Sequence, residues 1–182
     1  MNAIAPAPVV PLPTARSHRW AVAGIGGFIA VALLGRYGFN AHGFVYAFLA
    51  VVLVLVSAID LERRIIPNRI VLPALAVVLI TQLAFYPEHA LEWILAAVGA
   101  GVFFLIPLLV YPSGLGLGDV KLAMLLGAAL GMDVMGALLI GLLAGAAAAI
   151  VILVREGFAG RKTAIAFGPF LAFGALFSLL FL

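Results

Sequence analysis

Two aspartates are the residues of this chain best placed to do chemistry. Asp60 closes the apolar run 44–59, and Asp119 ends the glycine-rich stretch Gly114-Leu-Gly-Leu-Gly-Asp. A carboxylate at the mouth of a membrane helix is costly to bury, so each is a candidate functional residue. A lone aspartate at an interface is more simply a solvated charge. Two at the same membrane face, one of them preceded by Gly-x-Gly, favour a shared chemical role.

Two carboxylates held close together can hydrolyse a peptide without a metal or a nucleophilic side chain. One is ionised and takes a proton from water, while the other is protonated and polarises the carbonyl; the titration then belongs to the pair. Gly116 and Gly118 lack a Cβ, so their backbone can adopt left-handed or extended conformations close to a bound chain. The pattern predicts an intramembrane aspartyl protease with Asp60 and Asp119 as catalytic residues.

Three other short motifs are candidates for shaping the site, and each has a simpler alternative. Lys121 either interacts with the charge of Asp119 or is a snorkelling lysine that marks topology. Pro67-Asn68 either shapes the loop that returns the chain or starts the next helix. Gly168-Pro169, within the last apolar segment, predicts either a broken helix that lines a cavity or a simple kink.

The composition is that of a membrane protein that crosses the bilayer several times. Of 182 residues, 66% are hydrophobic and 9% are charged, whereas soluble domains carry about a quarter charged residues. We expect a disordered tail over 1–15 and a single membrane domain over 16–182. The lack of cysteine excludes disulfides and thiolate metal sites. The histidines are dispersed and the basic residues form no patch, so no metal, cofactor or nucleic acid is predicted.

The predicted fold is all-α, a bundle of about seven transmembrane segments (six are possible) with a cytoplasmic amino terminus. The fifth segment has only 12 residues and must be tilted, surrounded by protein or open to water. Trp93 and Tyr111 flank the fourth segment as predicted interfacial anchors. The segments are 20–35, 44–59, 70–85, 93–110, 120–131, 134–154 and 165–182.

The distribution of lysine and arginine sets the predicted orientation. With seven segments, nine of the ten basic residues fall on the cytoplasmic side and only Arg36 falls on the other side. Basic residues are retained in cytoplasmic loops, so this bias supports the assignment. Asp60 and Asp119 then both lie at the cytoplasmic mouth of the bundle.

The order of the motifs resembles that of the type IV prepilin leader peptidases, a group of membrane aspartyl proteases with a Gly-x-Gly-Asp sequence. The matching pieces are Asp60, Ile66-Pro67-Asn68, the stretch from Gly116 to Lys121, and Phe167-Gly168-Pro169-Phe170. The resemblance implies an all-helical enzyme that removes the basic leader of prepilins and pseudopilins at the cytoplasmic face, usually after a glycine. It implies that Asp60 and Asp119 are catalytic, that Gly116 and Gly118 shape the site, and that Lys121 flanks it.

The chain differs from the larger members of that family. Those members have a long cytoplasmic loop, often with cysteines that bind zinc, and they also methylate the new amino terminus. Here the loops are short and cysteine is absent, so methyltransferase activity is not expected. The resemblance is to the short, peptidase-only members that serve Flp (tight-adherence) pili or archaeal flagellins, and we favour the bacterial Flp type in the inner membrane.

Two other kinds of function remain open at this point. The chain could be a non-catalytic membrane subunit of a pilus or secretion assembly, in which the acids have no chemical role. It could also be an ion-coupled transporter whose membrane acids bind cations, although the acids lie at one face and no inverted repeat is visible. The expected partners are a prepilin or pseudopilin helix and membrane lipids, and the oligomeric state is not predicted.

Overall fold

The computed structural model describes residues 15–110, 116–156 and 166–182. The predicted tail lies outside the described residues except for Ala15, and Tyr111 lies outside them too. The described chain is all-α, as predicted. Its helices are α1 (Ala15–Tyr37), α2 (Ala41–Arg63), α3 (Asn68–Phe85), α4 (Ala90–Val110), α5 (Leu117–Leu130), α6 (Val134–Glu156) and α7 (Gly168–Phe181), with 3₁₀ turns at Pro87–His89 and Gly131–Asp133.

Aromatic side chains gather at one end of the bundle, which we call the aromatic end (Tyr37, His42, Tyr46, Tyr86 and Trp93). The imidazole of His42 stacks on Tyr86 at 3.8 Å and lies parallel to Tyr46 at 6.0 Å between ring centroids. Trp93 meets His42 edge-on and is only 7% exposed. The prediction of Trp93 as an interfacial anchor is therefore wrong, because its indole packs over Gly131 inside the bundle.

The opposite end contains both candidate aspartates, and we call it the acid end (Asp60, Ile66, Gly118, Asp119 and Gly168). Helix α5 starts at this end, where Gly118 packs on Ile66. It finishes at the aromatic end, where Gly131, with a φ of 60°, packs on Trp93. Helix α6 then returns, since Gly145 packs on the ring of Phe167 beside the first residue of α7. Helices α5 and α6 thus run in opposite directions.

Five apolar helical stretches in the described residues are long enough to cross a membrane. They are Trp20–Tyr37, Ala41–Arg63, Asn68–Phe85, Pro87–Val110 and Leu117–Arg155, and α7 is a shorter apolar helix. The last of the five contains both α5 and α6. Because the chain reverses at Gly131, the described part has seven α-helices in a multi-pass membrane bundle. Five or six of its apolar stretches are able to cross a membrane, and the count of seven transmembrane segments stays a prediction.

Small residues bring the helices together. A Cβ added at Gly127 of α5 would overlap the carbonyl oxygen of Ala96 in α4, and one added at Gly174 of α7 would overlap that of Ala137 in α6. Close approach of backbones through glycine is the usual way in which membrane helices gain van der Waals contact. It fixes α5 on α4 and α7 on α6.

Two polar side chains, one buried and one half-buried, tie further helices together. Gln82 of α3 is fully buried, and its Nε2 donates to the carbonyl oxygen of Ala129 at 3.3 Å. That carbonyl lies in the last turn of α5, where no following helical N–H is available to it. The hydroxyl of Tyr37 donates to the carbonyl of Leu179 at 3.0 Å, which joins the ends of α1 and α7.

The contact between α4 and α5 gives a test of the fold. We expect Gly127→Ala to lower the free energy of unfolding by about 1–3 kcal/mol, because the added methyl forces two helix backbones apart. Gly99→Ala in α4 is the matched control, since a Cβ there meets nothing within 4 Å. Thermal unfolding of both variants in the same detergent measures the difference, and equal stability of the two would contradict this packing.

Candidate functional site

Asp60 lies in the last turn of α2 and is 4% exposed. Its Oδ2 accepts a hydrogen bond from the backbone N–H of Gly168 at 2.9 Å. Gly168 is the first residue of α7, where backbone N–H groups have no partner within the helix. The partial positive charge of a helix amino terminus also stabilises a carboxylate. The start of α7 therefore supplies a donor for an acid that would otherwise be buried without one.

Asp119 is the third residue of α5 and is 8% exposed. Its Oδ2 accepts from the N–H of Gly116 at 3.0 Å, and its own N–H donates to the carbonyl of Gly116 at 3.1 Å. The sequence placed Asp119 in a loop with the helix starting at Val120, and this was wrong. By bonding back to the residue before the helix, the carboxylate acts as part of the amino-terminal cap, so α5 begins at Leu117.

The second oxygen of Asp119 distinguishes it from an ordinary capping residue. Oδ1 is buried and has no hydrogen-bond partner among the residues that the structure describes. A buried polar atom without a partner is uncommon and calls for an explanation, such as a catalytic role or an ordered water. This oxygen is the one that is free to exchange a proton with a third group.

The structure brings Asp60 and Asp119 to the same end of the bundle, where Gly118, which precedes Asp119, and Gly168, which bonds Asp60, both lie against Ile66. The side chain of Ile66, which is 9% exposed, links their surroundings. A Cβ built on Gly118 would lie 2.7 Å from Ile66 Cβ, and one built on Gly168 would lie 3.3 Å from Ile66 Cδ1. Sequence reasoning included Ile66 in the motif Ile66-Pro67-Asn68 but assigned it no role of its own.

The glycines next to the acids act differently from one another. Gly118 has no room for a side chain against Ile66, and a Cβ on Gly168 would come within 2.8 Å of Asp60 Oδ2. Gly116 has space for a methyl and an extended backbone, with a φ of −104°, so it contributes its N–H group. The predicted left-handed freedom is not used at Gly116, and Gly118 is not among the residues with positive φ.

Lys121 and the Pro67-Asn68 pair meet at the edge of the site. The Nζ of Lys121 donates to Asn68 Oδ1 at 2.9 Å, and within the described residues no ion pair joins it to Asp119. Pro67 is the residue before the first turn of α3, with a φ of −75°. Pro67-Asn68 therefore starts α3, which is one of the two alternatives predicted from the sequence. Lys121 links the start of α3 to α5.

Gly168-Pro169 begins α7 instead of interrupting it. Of the two alternatives considered from the sequence, a kink inside the helix is wrong, because the non-helical residues 166–167 come directly before Gly168; a break of a longer helix stays a prediction. Proline is well suited to the first turn of a helix, because the N–H that it lacks would have no partner there. The residues 157–165 just before this segment are outside the described part of the chain.

The arrangement can hold and exchange protons on two buried carboxylates. In each aspartate, one carboxylate oxygen is held by a hydrogen bond from a glycine N–H. The chemistry open to the side chain therefore depends on its other oxygen. In the part of the chain that the structure describes, no three histidine, cysteine or acidic side chains come together as a metal site would require.

Comparison with known proteins identifies the family of this chain. The type IV leader peptidase family matches residues 47–154, which include both aspartates. The chain is 35% identical over 150 residues to a prepilin leader peptidase/N-methyltransferase of Xanthomonas campestris pv. campestris. That match covers 79% of this chain and 52% of the relative, so the chain spans about half the relative's length. No solved structure matches. The chain belongs to the type IV leader peptidase family.

Proposed function

We propose that this protein is an aspartic endopeptidase that removes the basic leader peptide of prepilins or pseudopilins, with Asp60 and Asp119 as its catalytic pair. The observation that carries the proposal is the presence of two buried carboxylates at one end of an apolar bundle, each bonded to a glycine N–H. The family and the name of the relative support the substrate class. The methylation that the relative's name also mentions is not part of the proposal.

The proposed reaction needs one ionised and one protonated carboxyl group. The ionised one takes a proton from a water molecule, whose oxygen attacks the carbon of the scissile carbonyl. The protonated one gives its proton to the carbonyl oxygen, which produces a tetrahedral diol. Collapse of the diol breaks the C–N bond, and a carboxyl proton passes to the departing amine. The other carboxylate takes a proton from one diol hydroxyl as that oxygen becomes the carbonyl of the product acid, so both carboxyl groups return to their starting states.

Basic residues support a cytoplasmic position for the acid end. Five basic residues of the described chain lie at the acid end, namely Arg63, Arg64, Arg69, Lys121 and Arg155. Arg36 lies at the aromatic end. Because lysine and arginine accumulate on the cytoplasmic side of membrane proteins, we place the acid end at the cytoplasmic face of a bacterial inner membrane. The short loops between the described helices and the lack of cysteine favour a peptidase of the Flp pilus type.

Replacing either acid tests the catalytic pair. We expect Asp60→Asn and Asp119→Asn each to lower cleavage of a co-expressed prepilin by about 10³-fold or more, since an amide can neither take nor give the required proton. Asp133→Asn is the matched control, because this acid is exposed at the other end of α5. A gel shift of the prepilin measures cleavage, and membrane levels of the variants are compared in the same cells.

The same variants separate the peptidase from the two other functions. If Asp60→Asn or Asp119→Asn still cleaves at the wild-type rate, that acid has no part in the chemistry. Pilus assembly that persists in both variants, without any cleavage by the wild type, indicates a structural subunit. Cation flux in reconstituted vesicles that depends on the two acids indicates a transporter.

Gly168→Ala tests whether the position of the Asp60 carboxylate matters. Alanine keeps the N–H that bonds Asp60, but its methyl would lie 2.8 Å from Oδ2. The carboxylate must shift, and we expect cleavage to fall about 10²-fold, as happens when a reacting group is misplaced by an ångström. Gly136→Ala in α6 is the control, because a Cβ there meets nothing within 4 Å. Wild-type cleavage by Gly168→Ala would show that this contact does not position the acid.

A further inference from the structure

The acid end is nearly closed, although a protease must admit an extended chain to both of its acids. Asp60 and Asp119 are 4% and 8% exposed. Ile66 is the residue whose side chain packs on the backbone next to both aspartates. Its Cβ and Cγ2 face Gly118, which precedes Asp119, and its Cδ1 faces Gly168, which bonds Asp60.

We propose that Ile66 is a positioning residue, a wedge that sets the spacing of the segments holding the two acids and that moves when a substrate chain enters. This inference rests on the proposed function, because it concerns the same pair of aspartates. It assigns Ile66 no contact with the reacting atoms. It requires that the side chain act through Gly118 on Asp119 and through Gly168 on Asp60.

The turn that carries Ile66 is attached to both of the helices that carry the acids. Its first residue, Arg64, has a left-handed backbone with a φ of 54°, and its N–H donates to the carbonyl of Asp60 at 2.7 Å. Just after the turn, Asn68 accepts from Lys121 of α5 at 2.9 Å. A displacement of Ile66 is therefore transmitted to α2 on one side and to α5 on the other.

Ile66 is buried whereas the preceding residue is exposed, and this difference indicates that the turn directs the side chain of Ile66 into the site. Ile65 is 61% exposed, whereas Ile66 is 9% exposed. Non-glycine residues rarely adopt positive φ, yet Arg64 does so two positions before Ile66. The left-handed residue turns the chain sharply after α2, and the side chain directed into the site is that of Ile66.

Truncation of Ile66 in two steps tests the wedge in the purified full chain, with a prepilin as substrate. Ile66→Val removes only Cδ1, the atom that reaches Gly168, and we expect kcat to fall several-fold. Ile66→Ala also removes Cγ2, and we expect kcat to fall about 10²-fold with KM within about twofold of wild type. Ile65→Ala is the matched control and should keep the wild-type kcat.

The pH–rate profile distinguishes positioning from a loss of folded protein. If Ile66 holds the two acid segments apart, its truncation lets the carboxylates interact more strongly, and the profile broadens. A lower rate with an unchanged profile would mean that less enzyme is folded, and it would overturn the inference. So would a wild-type kcat for Ile66→Ala, or a change confined to KM.

The inference and the proposed function can fail separately. Consider the case in which the wild type cleaves, the Asp60→Asn and Asp119→Asn variants do not, and both Ile66 variants behave as wild type. The catalytic pair is then supported, and the positioning role of Ile66 is wrong. If the wild-type chain cleaves no prepilin, both fall together. Should Ile66→Ala not accumulate in membranes, Ile66→Val still decides the outcome, because it removes a single methyl group.

Discussion

The site depends on hydrogen bonds from backbone N–H groups at two helix amino termini to two buried carboxylates. Removing the donor from a buried charged group costs several kcal/mol, and within the described residues neither Asp60 nor Asp119 has a basic partner. Gly168 at the start of α7 and Gly116 at the start of α5 supply the donors instead. A helix terminus stabilises a carboxylate without a fixed counter-ion. The acids can therefore be buried and still exchange protons, which an arginine partner would oppose.

Close helix packing brings these two amino termini to the acids. The start of α7 lies at Asp60, and α7 also packs directly against α6, where Gly174 and Gly141 let the backbones touch. Its far end is held by the hydrogen bond from Tyr37 to the chain near the end of α7. In the same way Gly127 holds α5 against α4. The glycines of the bundle interior thus help to hold the two helices whose amino termini bond the acids.

The sequence was sufficient to predict the helices, the reversal after the short fifth segment and the two acids at one end. These features follow from hydrophobic length and from the distribution of charge, which are local properties. The start of α5, the helix-starting role of Pro169 and the burial of Trp93 were not predicted, because each depends on which neighbour is present in three dimensions. Ile66 is the clearest case: its contacts are with Gly118 and Gly168, 52 and 102 positions further along the chain.

The depth of the acids relates the fold to its proposed chemistry. Helix α2 ends three residues after Asp60, but α6 continues from Gly145, level with the first turn of α7, to Glu156, ~16 Å further. The apolar wall formed by α6 therefore extends beyond the acids on one side. On the other side Arg63 and Arg64 are exposed at the level of the acids, and charged side chains at that depth require water. The acids therefore lie between an apolar wall and a polar turn, an arrangement that suits the proposed hydrolysis next to a membrane-embedded helix.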